Sequence, residues 1–366
     1  MKFVTLFPDT KNVHLLKDLG MIPCMLHRLY GYDSYVATKL DADGYPYLEK
    51  EAKGLKLDEI NCLSVGKLLC GLSYLKKHVK EIDILNVYHL NLSSFVWLIY
   101  FKLHKKKTAK SYLKLDMSYK GLTSLKKPGI IGFIKRRTMQ LADIISVETT
   151  KIFDELKDSY GGKLIYLPNG YSLPEDSKKK EYQKKHVILT VGNLGTYEKA
   201  TDTLLEGFAK SANEHDWVLR LVGTVEKSFE PFVEEYFKRY PKLRERVQFA
   251  GSITDKEQLA KEYKEAAVFI LSSRQESFGL VFVEAISCGC YIISSDKAPA
   301  GYDVSGQERF GRLFRCDDTE DLARVLKEVC CTKRNYNESA VEIEQFAGEH
   351  FLWETLLGEL KDACER

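Results

Sequence analysis

Two glutamates stand eight residues apart in the second half of the chain, Glu276 before and Glu284 after the tripeptide 278–280. An apolar run at 268–271 precedes them. The pattern predicts a strand, a loop and a helix, with Glu276 at the carboxyl end of a parallel strand and Glu284 on the helix behind it. Open α/β sheets bind ligands at that edge. The two carboxylates therefore predict a site that accepts hydrogen bonds from hydroxyl groups at two ends of one ligand.

The helix start between the glutamates would supply positive character in the middle of that site. The backbone amides of Phe278, Gly279 and Leu280 are expected to be free there and to offer an anion site, and Gly279 lets the backbone approach a ligand closely. Glu284 is expected about 12 Å, two helical turns, beyond Glu276. A nucleotide sugar fits this arrangement, with its sugar on Glu276, its diphosphate on the amides and its ribose on Glu284. An exposed acidic pair flanking a helix start is the alternative.

The apolar run 268–271, followed by Glu276, the tripeptide 278–280 and Glu284, resembles the signature of retaining GT-B glycosyltransferases, in particular those of family 4. The resemblance covers residues 187–326 well and the first half of the chain weakly. It implies an α/β fold of the GT-B type, with two Rossmann-like domains that face each other across a cleft. It also implies transfer of a sugar from a nucleotide sugar, by family preference a UDP-sugar, to a hydroxyl acceptor with retained configuration. No protein nucleophile is evident, and the resemblance implies that a departing phosphate oxygen takes the acceptor proton.

A glycine-containing loop at 192–200 follows the first strand of the second half. In the family this loop carries Gly-Arg and, six residues on, Lys-Gly, and the two basic groups clamp the donor diphosphate. Lys199 matches the lysine, whereas Asn193 follows Gly192 in place of the arginine and Ala200 replaces the second glycine. Asparagine donates hydrogen bonds but carries no charge, so phosphate binding should depend more on Lys199 and the helix amides. An exposed loop lysine and a turn asparagine are the alternatives.

Two further positions are assigned by resemblance. Ser252, which follows a predicted strand, would lie against the nucleobase unless the segment is a plain strand end. Asp116 stands near the position where family members often have a histidine that contacts the donor sugar. A carboxylate there could bind sugar hydroxyls or steady positive charge at the anomeric carbon, and Lys114 or Lys120 could instead pair with it.

Three residues of the first half are candidates for the acceptor side. His89 follows a predicted strand and could face the cleft, although a lone histidine is more often structural. His14 and Gly20 belong to the predicted loop after the first strand, which often touches acceptor or donor in this family.

Alternating strand and helix patterns indicate parallel sheets with helices on both faces. They predict an acceptor-side Rossmann-like domain at 1–173, a polar linker at 174–185, and a Rossmann-like domain at 186–345 that binds the nucleotide sugar. A C-terminal helix within 346–366 is expected to cross back to the first domain, as in the family. Strands are predicted at 3–7, 34–38, 82–88, 111–115, 144–147, 163–167, 186–192, 218–223, 247–251, 268–271 and 291–294, and a helix with proline in its first turn at 23–29.

Length and composition set broader limits. The 366 residues, 44% of them apolar, suffice for two domains. The nine cysteines lack zinc-site spacing, and neither a signal peptide nor a bilayer-spanning apolar run is evident, so a soluble cytoplasmic protein is expected. Asp41 and Asp43 mimic the Asp-x-Asp metal motif of the GT-A fold, but they precede a Gly-Tyr-Pro turn. No metal and no other cofactor are therefore expected.

Positive charge is concentrated in the segment 101–141, which has twelve Lys and Arg residues and one acid, Asp116. Apolar residues are interleaved with the basic ones. This pattern favours an anionic partner, either lipid headgroups at the inner face of a membrane or a lipid-linked acceptor. A solvated basic face is the alternative. Nucleic acid is disfavoured because no recognised binding motif accompanies the charge.

Synthesis of a surface polysaccharide or glycoconjugate is the function that these features favour. A sugar-nucleotide epimerase on the same fold and a non-catalytic partner or chaperone subunit are the alternatives. Asn193 and Asp116 keep the second alternative open, whereas Lys199, Glu276 and Glu284 oppose it.

Overall fold

The computed structural model describes residues 1–62, 66–172 and 182–366. The chain divides into two compact units: the first unit consists of Met1–Ser172 and Trp353–Arg366, and the second of Leu173–Leu352. Each unit contains one parallel sheet with helices packed on it.

The first unit is built on a sheet of seven parallel strands among its described residues, in the order β3-β2-β1-β4-β5-β6-β7. The strands are β1 (Lys2–Leu6), β2 (Asp33–Thr38), β3 (Lys56–Glu59), β4 (Ile84–Tyr88), β5 (Lys110–Lys114), β6 (Ile144–Val147) and β7 (Leu164–Tyr166). The helices are α1 (Asp18–Tyr30), α2 (Pro46–Lys50), α3 (Lys67–His78), α4 (Leu92–His104), α5 (Tyr119–Lys126), α6 (Ile130–Leu141) and α7 (Thr150–Tyr160).

Apolar side chains cover both faces of this sheet, which is why its central strands are nearly continuous hydrophobic runs. One core packs α3 and α4 on the sheet through Tyr74, Trp97 and Phe101. The core on the other face includes Phe3 and Trp353. Every residue of β4 is buried. With helices on both faces, the described strands of this sheet can present polar groups to a ligand at their ends.

The second unit is a sheet of six described parallel strands in the order β10-β9-β8-β11-β12-β13. The strands are β8 (Lys185–Val191), β9 (Val218–Val222), β10 (Val247–Gly251), β11 (Ala266–Leu271), β12 (Tyr291–Ser295) and β13 (Gly311–Phe314). The helices are α8 (Thr201–Ser211), α9 (Glu230–Arg239), α10 (Lys256–Glu265), α11 (Val281–Ser287), α12 (Ala300–Val304), α13 (Thr319–Cys331) and α14 (Tyr336–Phe351). The last helix, α15 (Trp353–Glu365), packs on α1 in the first unit.

Several boundaries differ from the sequence predictions. The helix predicted at 23–29 is α1, which starts at Asp18, so Pro23 lies in its interior and not in its first turn. The edge strands β3 and β13 were not predicted, because they are only four residues long and carry polar residues. The second unit ends at Leu352, after α14, whereas the predicted domain ended at 345. Most of the predicted linker, 174–181, lies outside the described residues.

Among the described residues, no helix has the length and apolarity needed to cross a lipid bilayer.

Candidate functional site

Lys199 and Glu276 come together at the carboxyl edge of the second sheet. Their loops follow β8 and β11, which are hydrogen-bonded neighbours, so both loops leave the sheet at one edge. The Lys199 Nζ atom lies 2.6 Å from Glu276 Oε2, and the two side chains are 28% and 18% exposed. A partly exposed ion pair is worth only about 0.2–1 kcal/mol. A ligand that offers a phosphate to the lysine and hydroxyls to the glutamate could therefore replace it at small cost.

Hydroxyl groups of the β11 loop support this pair. Ser272 Oγ donates to the backbone carbonyl of Lys199 at 2.8 Å, which fixes the lysine's loop to the end of β11. Ser273 Oγ lies 3.5 Å from Glu276 Oε2, at the limit of a hydrogen bond. The loops that carry the cation and the carboxylate are thus joined by backbone as well as side-chain contacts.

Arg274 connects the same two loops, and the sequence reasoning missed it. Its backbone N–H donates to the carbonyl of Glu198 at 2.7 Å. The guanidinium donates to Asp202 Oδ2 at 2.7 Å and to Asp317 Oδ1 at 2.6 Å, and it lies 4.9 Å from the centre of the Tyr197 ring. The side chain is 14% exposed. Such a multiply bonded arginine is a rigid brace between the Lys199 loop and the Glu276 loop.

Glu284 lies in the first turn of α11, which begins at Val281. The expected spacing of two helical turns from Glu276 is therefore wrong, because residues 276–280 form a loop. Tyr263 OH donates to Glu284 Oε2 at 2.7 Å. Although part of the residue is exposed, burial by the surrounding protein raises the pKa of the Glu284 carboxyl, an effect that Tyr263 and Lys256 partly offset. Its remaining oxygen can accept a hydrogen bond from a ligand hydroxyl.

The tripeptide between the glutamates is a loop anchored by an apolar side chain. Phe278 is 1% exposed, and Gly279 has a φ of +88°, a left-handed conformation that favours glycine. In the part of the chain that the structure describes, the amides of Phe278, Gly279 and Leu280 find no hydrogen-bond acceptor. These amides remain candidate donors to an anion, as predicted, but they precede the helix and are not part of it.

Three neighbouring strands of the second sheet end in glycines. Gly192 follows β8, Gly223 follows β9, and Gly251 ends β10. A Cβ added at Gly223 would lie 1.8 Å from the carbonyl oxygen of Gly192, so the chains approach too closely for any side chain there. The exposed residues Asn193 and Ser252 flank this glycine edge. The amides of Gly192 and Gly223 donate to the carbonyls of Val222 and Gly251, which holds the three strand ends together. Asn193 and Ser252, two of the predicted donor-side residues, lie beside this edge.

A small cavity adjoins the candidate ion pair. Its lining includes Gly192, Asn193, Lys199 and Ser272. Ala200, which replaces a family glycine, adopts the left-handed conformation with φ of +49° and ψ of +44° and is fully buried. The backbone after Lys199 therefore has a conformation that glycine would favour, at a cost of about 1–2 kcal/mol for alanine.

In the first unit, Asp116 and His89 share an uncommon backbone feature. Both have positive φ, +45° for Asp116 and +65° for His89, and both follow the ends of neighbouring strands, β5 and β4. Left-handed residues other than glycine often mark functional sites. The suggested pairing of Asp116 with Lys114 is wrong, because Lys114 Nζ lies 2.6 Å from Glu148 Oε1. The Asp116 residue is half-buried.

The remaining predicted residues of the first unit are not in a loop. His14 lies in a 3₁₀ helix, Asn12–Leu16, and its Nδ1 accepts a hydrogen bond from the Lys11 amide. Burial is the main cause of the lowered pKa of the His14 imidazole. Gly20 lies within α1, where an added Cβ would sit 2.4 Å from the Cα atom of Leu15. Close packing of the two helices therefore explains this glycine without any ligand.

The basic segment 101–141 is less uniformly positive in the structure than in the sequence. Lys114 is buried, and acids from elsewhere in the chain pair with Lys105, Lys106 and Lys126. The stretch 126–131 runs from the end of α5 to the start of α6 and is exposed throughout. It carries Lys126 and Lys127 and two apolar side chains, Ile130, which is 76% exposed, and Ile131, which is 68% exposed. This stretch is the part of the segment that most resembles a lipid-binding surface.

Residues 185–331 match the family model described as Glycosyl transferases group 1. A probable sucrose-phosphate synthase of Thermosipho melanesiensis is 22% identical over 228 residues, which cover 60% of this chain and 50% of that protein. The matches to the first curated relatives span half of their length or less.

Two solved structures share the fold over the whole chain. Anabaena HepE, solved in complex with UDP, aligns with a TM-score of 0.71 at 16% identity and covers 100% of both chains. The lipopolysaccharide outer core galactosyltransferase WaaB, in its apo form, aligns with a TM-score of 0.71 at 18% identity and covers 99% of both chains. The two parallel sheets together with these likenesses show the GT-B fold, with two Rossmann-like domains.

Proposed function

We propose that this protein transfers a sugar from a nucleotide sugar to a hydroxyl acceptor, because residues 185–331 match the group 1 glycosyl transferase model and the chain has the GT-B fold. The observation that carries the proposal is the 2.6 Å pair of Lys199 and Glu276 at the carboxyl edge of the second sheet. Lys199 is the cation for the donor diphosphate, and Glu276 accepts hydrogen bonds from the hydroxyls of the donor sugar. The loops that carry the two groups are joined by hydrogen bonds from the Arg274 amide to the Glu198 carbonyl and from Ser272 Oγ to the Lys199 carbonyl, so little reorganisation is needed when the donor binds.

The donor is a UDP-sugar in this proposal. HepE, which has the same fold, was solved with UDP. The glycine edge at 192, 223 and 251 suits a flat base, with Ser252 beside it, and Glu284 can accept hydrogen bonds from the ribose hydroxyls. Asn193, which is neutral, donates hydrogen bonds and adds no charge. Lys199 therefore supplies most of the positive charge that the leaving diphosphate needs.

The chemistry proceeds with retention of configuration and without a metal ion. The sugar–phosphate bond breaks, and positive charge develops on the anomeric carbon while the diphosphate leaves toward Lys199 and the amides of residues 278–280. The acceptor oxygen attacks from the face that the phosphate leaves, and a phosphate oxygen takes the acceptor proton. Asp116, on the first unit, steadies the developing positive charge. The acceptor is a carbohydrate or a lipid-linked carbohydrate, held by the first unit.

A peripheral association with an anionic membrane is part of the proposal. The exposed Ile130 and Ile131 beside Lys126 and Lys127 suit insertion at a lipid surface that carries acidic headgroups. A lipid-linked acceptor for a surface polysaccharide would be presented at such a surface.

The test is release of UDP from a panel of UDP-sugars, with and without a mixture of saccharide acceptors. We expect acceptor-stimulated UDP release by the wild-type protein, unchanged by EDTA, and roughly a ten- to hundred-fold loss in Lys199→Met, since one charge-assisted hydrogen bond is worth about 1.5–3 kcal/mol. Lys227→Met, at an exposed lysine of the same unit, is the matched control.

Two other outcomes identify the alternative functions. An isomerised nucleotide sugar without UDP release would indicate an epimerase. No release of any nucleoside diphosphate from the whole panel would indicate a non-catalytic subunit and would reject the proposal. An acceptor product whose anomeric proton shows inversion by NMR would reject the retaining mechanism alone.

A further inference from the structure

A fully buried ion pair lies where β5 and β6 end in the first unit. Lys114 is the last residue of β5, and Glu148 follows β6 directly. Lys114 Nζ lies 2.6 Å from Glu148 Oε1, and the two side chains are 0% and 1% exposed. Removing two charges from water costs more than packing apolar residues of the same size, so such a pair is weak evidence for a role in stability. Its hydrogen bonds point to a different role.

Both partners bind backbone groups of neighbouring loops. Glu148 Oε1 accepts a hydrogen bond from the Asp116 amide at 2.8 Å, and Oε2 accepts one from the Met117 amide at 3.1 Å. Lys114 Nζ also donates to the carbonyl of Leu167 at 3.0 Å. The pair therefore ties together the loops that follow β5, β6 and β7. Two successive amides that point at one carboxylate form an anion nest, and here the protein's own glutamate fills it.

The nest explains the conformation of Asp116. A left-handed aspartate is strained, and the two hydrogen bonds from its own amide and the next one hold the backbone in that state. Among the described residues, no lysine or arginine forms an ion pair with the Asp116 carboxylate. Glu148 thus fixes the backbone under Asp116 and leaves its side chain for another partner.

Further polar groups at the same edge lack partners. Thr149 Oγ1 and Asn169 Oδ1 are buried without a hydrogen-bond partner among the described residues, as is Asp18 Oδ2. Asp18 Oδ2 lies 3.9 Å from Lys114 Nζ, beyond hydrogen-bonding distance. Thr149 directly follows Glu148, and Asn169 lies two residues after Leu167, so both belong to the loops that the ion pair connects.

We propose that Lys114 and Glu148 are positioning residues, which act by holding Asp116 in the left-handed conformation that presents its carboxylate to the reacting sugar. This inference rests on the proposed function, in which Asp116 steadies the charge at the anomeric carbon. The pair does not itself contact the donor. The nucleotide is held by the second unit, so loss of the pair should slow the chemical step and leave nucleotide affinity unchanged.

The test measures kcat and the donor KM for Glu148→Gln, Asp116→Asn and the double variant in the full-length protein, with the best UDP-sugar of the panel. Glutamine keeps one acceptor oxygen but turns an N–H group toward the second backbone amide, so the loop must shift. We expect kcat to fall at least tenfold in each single variant and KM to change less than twofold. The double variant should be no slower than the slower single variant, because both changes remove the same contribution. Glu155→Gln, at an exposed ion pair of α7, is the control and should keep wild-type kcat.

Limited proteolysis and urea unfolding, measured on each variant, report whether the first unit is folded, because UDP binding by the second unit would not. If the first unit of Glu148→Gln is unfolded, Lys114→Arg takes its place, because arginine keeps the charge and can still donate to the Glu148 carboxylate and the Leu167 carbonyl. A threefold or larger loss of kcat is then expected. Wild-type kcat in the folded Glu148→Gln or Lys114→Arg protein would overturn the inference, as would a double variant that loses the product of the two single losses. Absence of turnover by the wild-type protein would overturn the proposed function, and the inference about Lys114 and Glu148 would fall with it.

Discussion

The ion pair of Lys199 and Glu276 gives each residue a different role before and after a donor binds. Without ligand the two charges neutralise each other at 2.6 Å. A bound nucleotide sugar would supply a phosphate for the lysine and hydroxyls for the glutamate. The ion pair holds both side chains in position until a donor binds. Breaking it costs little free energy, because the pair is partly exposed and weak.

Glu276→Gln should separate these two roles. Glutamine can still accept a hydrogen bond from Lys199 but no longer forms an ion pair with it. The lysine therefore becomes more available to the diphosphate, while the hydrogen bonds to the sugar lose their charge assistance. We expect kcat to fall roughly ten- to a hundred-fold and the donor KM to stay constant or fall. Steady-state kinetics with Glu257→Gln, at an exposed glutamate of α10, as the control would check it. Wild-type kcat would contradict the assignment of Glu276.

Arg274 is expected to support UDP binding indirectly, by holding the Lys199 loop through hydrogen bonds within the protein, and not by contacting the ligand. Arg274→Met removes hydrogen bonds to Asp202, Asp317 and the Tyr197 carbonyl, so the Lys199 loop should loosen. We expect UDP affinity, measured by calorimetry, to fall about tenfold, which corresponds to about 1.4 kcal/mol. Arg239→Met, which removes an exposed pair with Glu206, should bind UDP like the wild type. Unchanged affinity in Arg274→Met would show that the brace is dispensable.

Asp18 should make the first unit less stable as the pH rises. Burial raises the pKa of its carboxyl to about 7, against the effect of nearby Lys114 and with further increases from Asp116 and Glu148. An aspartate in the unfolded chain titrates near 4. Between these two pH values the folded protein binds one more proton at Asp18 than the unfolded chain does. The contribution of the protonated Asp18 carboxyl to the free energy of unfolding is therefore complete below about pH 4 and is lost as the pH rises through about 7.

Asp18→Asn removes this pH dependence. We expect its free energy of unfolding to exceed that of the wild type by on the order of 1–3 kcal/mol at pH 8 and by less at pH 5. Urea denaturation at both pH values measures the difference. Asp33→Asn is the control, and its effect on the free energy of unfolding should have the opposite sign at pH 8. The hydrogen bond from Lys56 lowers the pKa of Asp33, so the ionised carboxylate stabilises the folded protein. A variant that is less stable than the wild type at pH 8 would show that Lys114 stabilises the Asp18 carboxylate more than burial destabilises it, so that the pKa of Asp18 is not raised.

The sequence predicted the residues whose chemistry is local and missed those whose partners are distant. Lys199 and Glu276 were assigned from their own motifs, and the structure brings them together. Arg274 stands two residues before Glu276, but its partners Asp202 and Asp317 are far away in the sequence. Glu148 was missed for the same reason, since its contacts are 31–34 residues distant. A single sequence carries no signal for such pairs.

At the scale of elements, the parallel strands were predictable because buried strands are apolar runs bounded by polar loops. The strands that were missed, β3 and β13, lie at sheet edges, where half of the backbone is unpaired and burial demands less apolarity. The amides of residues 278–280 were predicted to lie at the start of a helix and to bind an anion there, whereas α11 begins only at Val281. Gly279 permits a left-handed turn that delays the helix, and helix boundaries of this kind are hard to predict.

The exposed stretch 126–131, from the end of α5 to the start of α6, is the element in which membrane binding can be tested. Replacing Ile130 and Ile131, both exposed, by Asp should greatly reduce pelleting with vesicles of anionic lipid at low salt, because two apolar side chains are lost and two negative charges are gained. Salt should release the wild-type protein. Val341→Asp, at a residue of α14 that is 57% exposed, should pellet normally. No pelleting of the wild-type protein at low salt would reject the membrane part of the proposal.

At the scale of the whole molecule, the two units differ in how far the sequence explains them. The second unit matches a family model over residues 185–331, and its site residues follow from recognisable loops. The first unit has the matching sheet order but no comparable motif, so its buried cluster around Lys114 emerged only from the folded structure. In the proposed function, the second unit holds the donor and the first unit holds the acceptor.

Calorimetric titration of UDP into the wild-type protein and into Glu284→Gln tests the central claim most directly, namely that the loops after β8 and β11, with α11, form one nucleotide site. We expect one UDP per chain in the wild type. Affinity should be roughly ten- to a hundred-fold weaker in Glu284→Gln, because the neutral amide loses a charge-assisted hydrogen bond to the ribose, and unchanged in Glu257→Gln. Absence of UDP binding by the wild type, or equal affinity in Glu284→Gln, would contradict the account.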